Sequence, residues 1–208
     1  RRVEKFYRRS STVIYPPVEV QNQKLKIKDQ KYRSKIKNGK PYFISVGRLT
    51  YAKQVDLAIE ACNKLKVPLK IVGTGKEEEY LRSIAGPTVE FVGSVSDEEL
   101  SKLYAGAKAL IFCALDEDFG MVPVEAMAHG TPVIGLAQGG VVETVLDGKT
   151  GVLFGEPTVE SLLGALGRFG KLGGDLGDQC KKQAEKFGKE RFKRELKEFV
   201  ERRVVSKE

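Results

Sequence analysis

Short, predominantly apolar runs alternate with longer amphipathic stretches from residue 41 onward. The runs fall at 42–46, 69–72, 89–92, 109–113, 133–135 and 151–154, and they are rich in Val, Ile, Leu and Phe. Strands covered on both faces read this way, because neither face has to meet water. Between them, helical spacing predicts helices over about 54–65, 76–85, 97–106, 123–129, 140–147 and 158–169. Strand followed by helix, six times over, predicts an α/β fold: a three-layer sandwich with helices on both faces of a central parallel sheet of about six strands. Ser96 ahead of Asp97, Glu98 and Glu99 marks a helix start, an oxygen cap followed by acids at the positive end of the dipole. Phe192, Leu196, Phe199, Val200 and Val204 fall on one helical face. A closing helix is therefore expected, docked on the domain or on a partner domain.

The first forty residues follow a different pattern. A basic opening leads to the extended run Thr12-Val13-Ile14-Tyr15, stopped by Pro16-Pro17, and then to a polar stretch from 21 to 40 that reads as a linker ending at Asn38-Gly39-Lys40-Pro41. Across 208 residues, 41% apolar and 31% charged positions with 22 glycines fit one globular α/β domain with tails. No run approaches the roughly 20 apolar residues of a spanning helix. Position 1 is arginine, and no apolar leader follows it, so the chain reads as trimmed at its start.

Charge narrows the function classes. Residues 1–40 carry 13 Lys/Arg against 3 Asp/Glu, residues 168–208 carry 13 against 8, and residues 41–167 carry 10 against 17. Nucleic-acid binding needs cations on the binding face itself, so an acidic centre with basic flanks argues against it. The flanks read as solvated tails, or as attraction to an anionic membrane surface or a lipid-phosphate substrate. Cys62, Cys113 and Cys180 are scattered, without a CxxC pair and with a single histidine in the chain. Neither a disulfide framework nor a zinc site is written here, which points to a reducing, cytoplasmic setting.

Parallel sheets bind ligands beyond the carboxyl ends of their strands, so the loops after each strand hold the candidate chemistry. After the first strand, Gly47-Arg48-Leu49-Thr50-Tyr51-Ala52-Lys53 sets two cations, Arg48 and Lys53, at the mouth of the sheet, where they could neutralise a diphosphate. After the second, Gly73-Thr74-Gly75 completes neither GxGxxG nor GxxxxGK[ST]; it reads as a tight strand-to-helix turn. After the third, Gly93-Ser94-Val95 offers backbone to a flat base. The fourth loop is the richest, running from Asp116 to Met127. Pro123 suits a first helical turn, leaving Gly120, Met121 and Val122 at the helix tip with free N–H groups for an anion. Glu117 and Glu125 flank that tip. A glycosidase pair would need one raised pKa; carboxylates beside cations are expected instead to stay ionised and to accept hydrogen bonds from sugar hydroxyls.

Taken together, Arg48 and Lys53, the E-x7-E spacing from Glu117 to Glu125 around Phe119-Gly120, Glu125-Ala126-Met127-Ala128 running into Gly130-Thr131-Pro132-Val133, Gly139-Gly140 with Glu143, and Asp147-Gly148-Lys149-Thr150-Gly151 resemble the donor-binding domain of retaining glycosyltransferases of the GT-B type, family 4. The likeness covers about residues 11–167. The textures of 53–61 and 122–125 are similar to mannosyltransferases of polysaccharide and O-antigen assembly. The resemblance implies a Rossmann-like half of a GT-B fold: residues 1–40 a remnant of an N-terminal domain and linker, 41–170 the nucleotide-sugar-binding domain, 171–208 C-terminal helices packed on it. It implies Arg48 and Lys53 on the donor diphosphate, Glu125 on the ribose and Glu117 on the donor sugar. Backbone at Gly120, Met121 and Val122 would contact sugar and phosphates, and Val95 the base. The implied donor is GDP-mannose and the acceptor lipid-linked or a polysaccharide, with no metal and no bound cofactor. Catalysis would need the separate acceptor-binding domain, in the cytoplasm or peripherally at the cytoplasmic membrane face. Two other readings stay open: a GT-B epimerase or phosphorylase, and a non-catalytic nucleotide-binding domain. The glycine-dense stretch 164–177 gives no clear reading.

Overall fold

The computed structural model describes residues 2–19, 41–174 and 176–205. Six strands, β1 (Tyr42–Val46), β2 (Leu69–Val72), β3 (Val89–Gly93), β4 (Ala107–Phe112), β5 (Val133–Leu136) and β6 (Gly151–Phe154), form one sheet in the order β3-β2-β1-β4-β5-β6, every neighbouring pair parallel. The predicted sheet is thus present with all six strands. Its order reverses beside β1: the chain builds outward through β2 and β3, then returns to lay β4 on the other side. The loops leaving β1 and β4 diverge there and open a crevice, the usual place for a ligand in such sheets.

Alternation along the strands sorts side chains into two cores. Phe43 of β1 and Ala109 and Ile111 of β4 join Ile59 of α2 (Val55–Leu65) and Leu162 of α7 (Val159–Lys171) on one face. Ile44, Leu110 and Phe112 join Tyr104 of α4 (Asp97–Gly106) and Val124 and Met127 of α5 (Met121–Ala128) on the other. Between these lie α3 (Glu78–Ile84) and the short α6 (Val141–Thr144). The α4 start is as expected: Ser96 Oγ accepts from the Glu99 N–H at 3.3 Å, and the Glu99 carboxylate accepts from the Ser96 N–H at 3.2 Å. Gly164, Gly167 and Gly170 lie within α7, on its exposed side. Each costs about 1 kcal/mol relative to alanine in a helix, and burial of Val159, Leu162, Ala165 and Leu166 outweighs them.

Flanking segments close on the sheet from one side. Helix α8 (Leu176–Glu185) packs against α5 through Cys180 and Ala184, both buried. Val18 is fully buried and donates its N–H to the Phe187 carbonyl at 2.9 Å, so the path through Pro16-Pro17 runs beside the junction of α8 and α9 (Lys189–Val205). Of the face expected on α9, Leu196, Val200 and Val204 remain exposed. A short α1 (Arg2–Tyr7), which the pattern did not predict, opens the chain. The linker expected over 21–40 lies outside the described residues. Among the described residues, no helix is long and apolar enough to cross a membrane.

Candidate functional site

The loops at the carboxyl ends of the strands are locked backbone to backbone. Gly47 and Leu49 donate their N–H groups to the Val72 and Thr74 carbonyls at 3.0 and 2.9 Å. A Cβ on Gly73 would stand 2.0 Å from the Gly47 carbonyl oxygen, and one on Gly75 2.2 Å from that of Leu49. Gly73-Thr74-Gly75 is therefore a tight turn packed on its neighbour, as its incomplete motif suggested. On the other side, the Leu115 N–H reaches the Ala52 carbonyl at 2.8 Å, which ties the loop after β4 to the one after β1.

That tie brings a cation to a carboxylate. A 3-10 turn over Tyr51–Lys53, ended by Gln54 in the left-handed region at φ 44°, presents Lys53, whose Nζ donates to Glu117 Oε2. The ammonium also lies 5.7 Å from the centre of the Phe112 ring at the end of β4. Both partners are about one quarter exposed, at 28% and 26%, so the pair borders solvent and remains open to a ligand. Gly139 and Gly140 hold the carboxylate's backbone. The Gly140 N–H donates to the Glu117 carbonyl at 2.8 Å, and a Cβ on Gly139 would collide with that carbonyl at 2.0 Å. Arg48 stands exposed on the same loop as Lys53 and makes no ion pair with a described residue.

Helix α5 begins next to this pair. Gly120, at φ 78°, is its N-cap and supplies no side chain to bond the first N–H groups, while Pro123 in the first turn has none to offer. The N–H groups of Met121 and Val122 therefore lead the helix uncapped, beside the loop that carries Glu117. Val95 is partly buried against the second core, immediately before the Ser96 cap of α4.

Glu125 occupies the second turn of α5, and its surroundings correct one expectation. Both glutamates were expected beside cations; Glu117 has Lys53, whereas Glu125 faces Tyr104 and Asp97 of α4. Burial pushes the Glu125 carboxyl above its usual range, the neighbouring Tyr104 hydroxyl opposes the rise, and the charge of Asp97 adds to it. Tyr104 is raised in turn, by burial first and then by Glu125. Sequence reading missed this tyrosine, counting it only within a helix over 97–106; an aromatic hydroxyl placed just before a buried strand was the available signal. It also missed Tyr15, whose hydroxyl donates to the Glu143 carboxylate and whose ring packs 5.5 Å from Phe119 in the site loop. No group of three His, Cys, Asp or Glu among the described residues could hold a metal ion.

Comparison with known proteins places this geometry. The model of the family "Glycosyl transferases group 1" matches residues 26–187. Glycogen synthase of Thermus thermophilus is 36% identical over 144 residues, 65% of this chain and 33% of that protein. Sulfoquinovosyl transferase of Arabidopsis thaliana is 32% identical over 143 residues, 65% of this chain and 28% of that protein. The chain spans about a third of the length of these relatives. Among solved structures, a glycosyltransferase from Rickettsia africae superposes with a TM-score of 0.78 at 20% identity, over 95% of this chain and 59% of its own. The Anabaena protein HepE, in complex with UDP and glucose, gives 0.75 at 20% identity, over 91% and 56%. At that identity the likeness speaks for the fold, the Rossmann-like half of a GT-B structure.

Proposed function

Because the chain belongs to the glycosyl transferases group 1 family, we propose that it is the donor-binding half of a retaining GT-B glycosyltransferase, and that it grips a nucleoside diphosphate sugar in the crevice between β1 and β4. The observation that carries this reading is the meeting of Lys53 with Glu117 beside the uncapped start of α5. In the reading, Lys53 and Arg48 bind the diphosphate, joined by the N–H groups of Met121 and Val122. Glu117 accepts from hydroxyls of the donor sugar, Glu125 from those of the ribose, and Val95 lies against the base. When the glycosyl–phosphate bond breaks, its electron pair goes to the diphosphate. Preorganised donors aimed at that charge lower the barrier by about 3 kcal/mol each. Two cations and a helix tip are enough for this without a metal. The acceptor, lipid-linked or polysaccharide, would be held by a separate domain closing over the donor at the cytoplasmic side.

For the sugar we propose mannose, carried by GDP, on the texture of residues 53–61 and 122–125. A uridine donor is the competing assignment, because HepE is seen with UDP and glucose. Calorimetric titration of the chain with GDP, UDP and ADP decides between them: GDP is expected to bind most tightly. Tighter UDP binding would reassign the donor, and absence of binding by all three would contradict the functional reading.

A further inference from the structure

Tyr104 is almost fully buried, at 1% exposure. Its ring lies 5.4 Å from that of His129 at an interplanar angle of 30°, and its carbonyl accepts from the Thr131 hydroxyl at 2.6 Å. The ends of α4 and α5 are thereby fastened together. His129 follows Glu125 by one helical turn on the same face of α5, with its Nδ1 2.8 Å from the Glu125 carbonyl. A tyrosine stacked on that histidine lies along the face that carries the Glu125 carboxylate. Its hydroxyl faces the carboxylate, near enough for each group to shift the other, yet no hydrogen bond of regular geometry closes between them. A buried hydroxyl with no bond is costly, and proteins seldom keep one without a use for it. Phenylalanine would fill the same space.

We propose that Tyr104 is a positioning residue for Glu125, donating its hydroxyl hydrogen to one carboxylate oxygen when nucleotide binds and leaving the other oxygen aimed at the ribose hydroxyls. The proposal rests on the assignment of Glu125 to the ribose. The chemistry suits the part. A carboxylate offers about four acceptor sites on two oxygens, and a phenol has one proton to give. Burial keeps Tyr104 protonated, so it is a donor throughout the working pH range. The groups facing the Glu125 carboxyl are Asp97 and Tyr104 of α4; His129, just past α5, meets only the Glu125 main-chain carbonyl, and Lys181 of α8 lies by Gly130. Of these, Asp97 favours the protonated carboxyl and Tyr104 the charged one. Without the phenol, Glu125 would take up its proton at higher pH and cease to accept from both ribose hydroxyls.

The test compares a ribonucleotide with a ligand that lacks those hydroxyls. The chain, Tyr104→Phe and Glu125→Gln are titrated with GDP or UDP, whichever binds more tightly, and with its 2′,3′-dideoxy analogue, from pH 5 to 8. Tyr104→Phe is expected to weaken the ribonucleotide about five- to tenfold and the dideoxy analogue less than twofold. It is also expected to move the acid limb of ribonucleotide binding to higher pH, and Glu125→Gln to abolish that limb. Equal loss for both ligands, or loss for neither, would overturn the proposal. If Glu125→Gln itself leaves the two ligands undistinguished from the unaltered chain, the ribose assignment has failed first. A measurement without substitution covers a variant that does not fold. The Tyr104 ζ-carbon resonance should move on adding the ribonucleotide and stay in place on adding the dideoxy analogue; a resonance that responds to neither overturns the proposal.

Discussion

Glu117 and Glu125 look like twins in the sequence, two carboxylates eight positions apart around a glycine and a proline, but the fold gives them opposite surroundings. Glu117 sits on a loop at the rim, paired with Lys53 and one quarter exposed. Glu125 sits on the second turn of α5, partly buried, with a phenol and an aspartate for company. The first is held by a cation that a diphosphate would also attract; the second is partly buried and faces a phenol and an aspartate. On the proposed reading, one site separates its ligand's chemistry by environment, with the diphosphate and the donor sugar met at the rim and the ribose hydroxyls in the wall.

Removing the rim cation should have the largest effect. Lys53→Ala is expected to weaken nucleoside diphosphate binding about 10- to 100-fold, the range for a charge-assisted bond, measured by calorimetry. A nucleoside without phosphates should bind Lys53→Ala as it binds the unaltered chain. If both ligands suffer alike, the division between rim and wall fails. Glu125→Gln should come next, with about tenfold weaker ribonucleotide binding and little change for the dideoxy analogue. Glu117→Gln should leave nucleoside diphosphate binding within about threefold, because the ion pair it removes borders solvent. The affinity gained from an attached hexose should disappear in that variant.

The smallest effect is on stability and concerns Glu125. A carboxyl whose folded pKa lies above its unfolded value makes the folded state the stronger proton binder, so its ionisation is a penalty that is full above the folded pKa and gone below the unfolded one. Glu125→Gln should therefore raise Tm by about 1–2 °C near pH 8, discounted for partial exposure, and this gain should fade as pH falls through the carboxylate range. Thermal scans at several pH values check this.

Where periodicity carried the information, the sequence was legible. Six strands and the helices between them were predicted to within a few residues, because buried parallel strands and capped amphipathic helices leave local signals, as at Ser96 and Glu99. The meeting of two candidate residues on loops after strands was legible for the same reason: topology sends Lys53 and Glu117 to one crevice. What stayed hidden depends on contacts between distant segments. The pairing of Tyr15 with Glu143 spans 128 positions, and neither residue announces the other. Tyr104 was hidden because its helix gives it an ordinary core position, while its use depends on where α5 lies. The glycines of α7 left the stretch 164–177 without a clear reading, since each weakens a helix locally and only the packing of the opposite face decides the outcome.

The most direct test of the shared pocket is an amide-resolved NMR titration of this chain with the nucleoside diphosphate that binds most tightly. The largest shifts are expected on the N–H groups of Met121 and Val122 and on the loop carrying Arg48 and Lys53, with Glu125 and Val95 following. Shifts concentrated instead at the opposite end of the sheet, around Val67, Thr88 and Thr131, would contradict it.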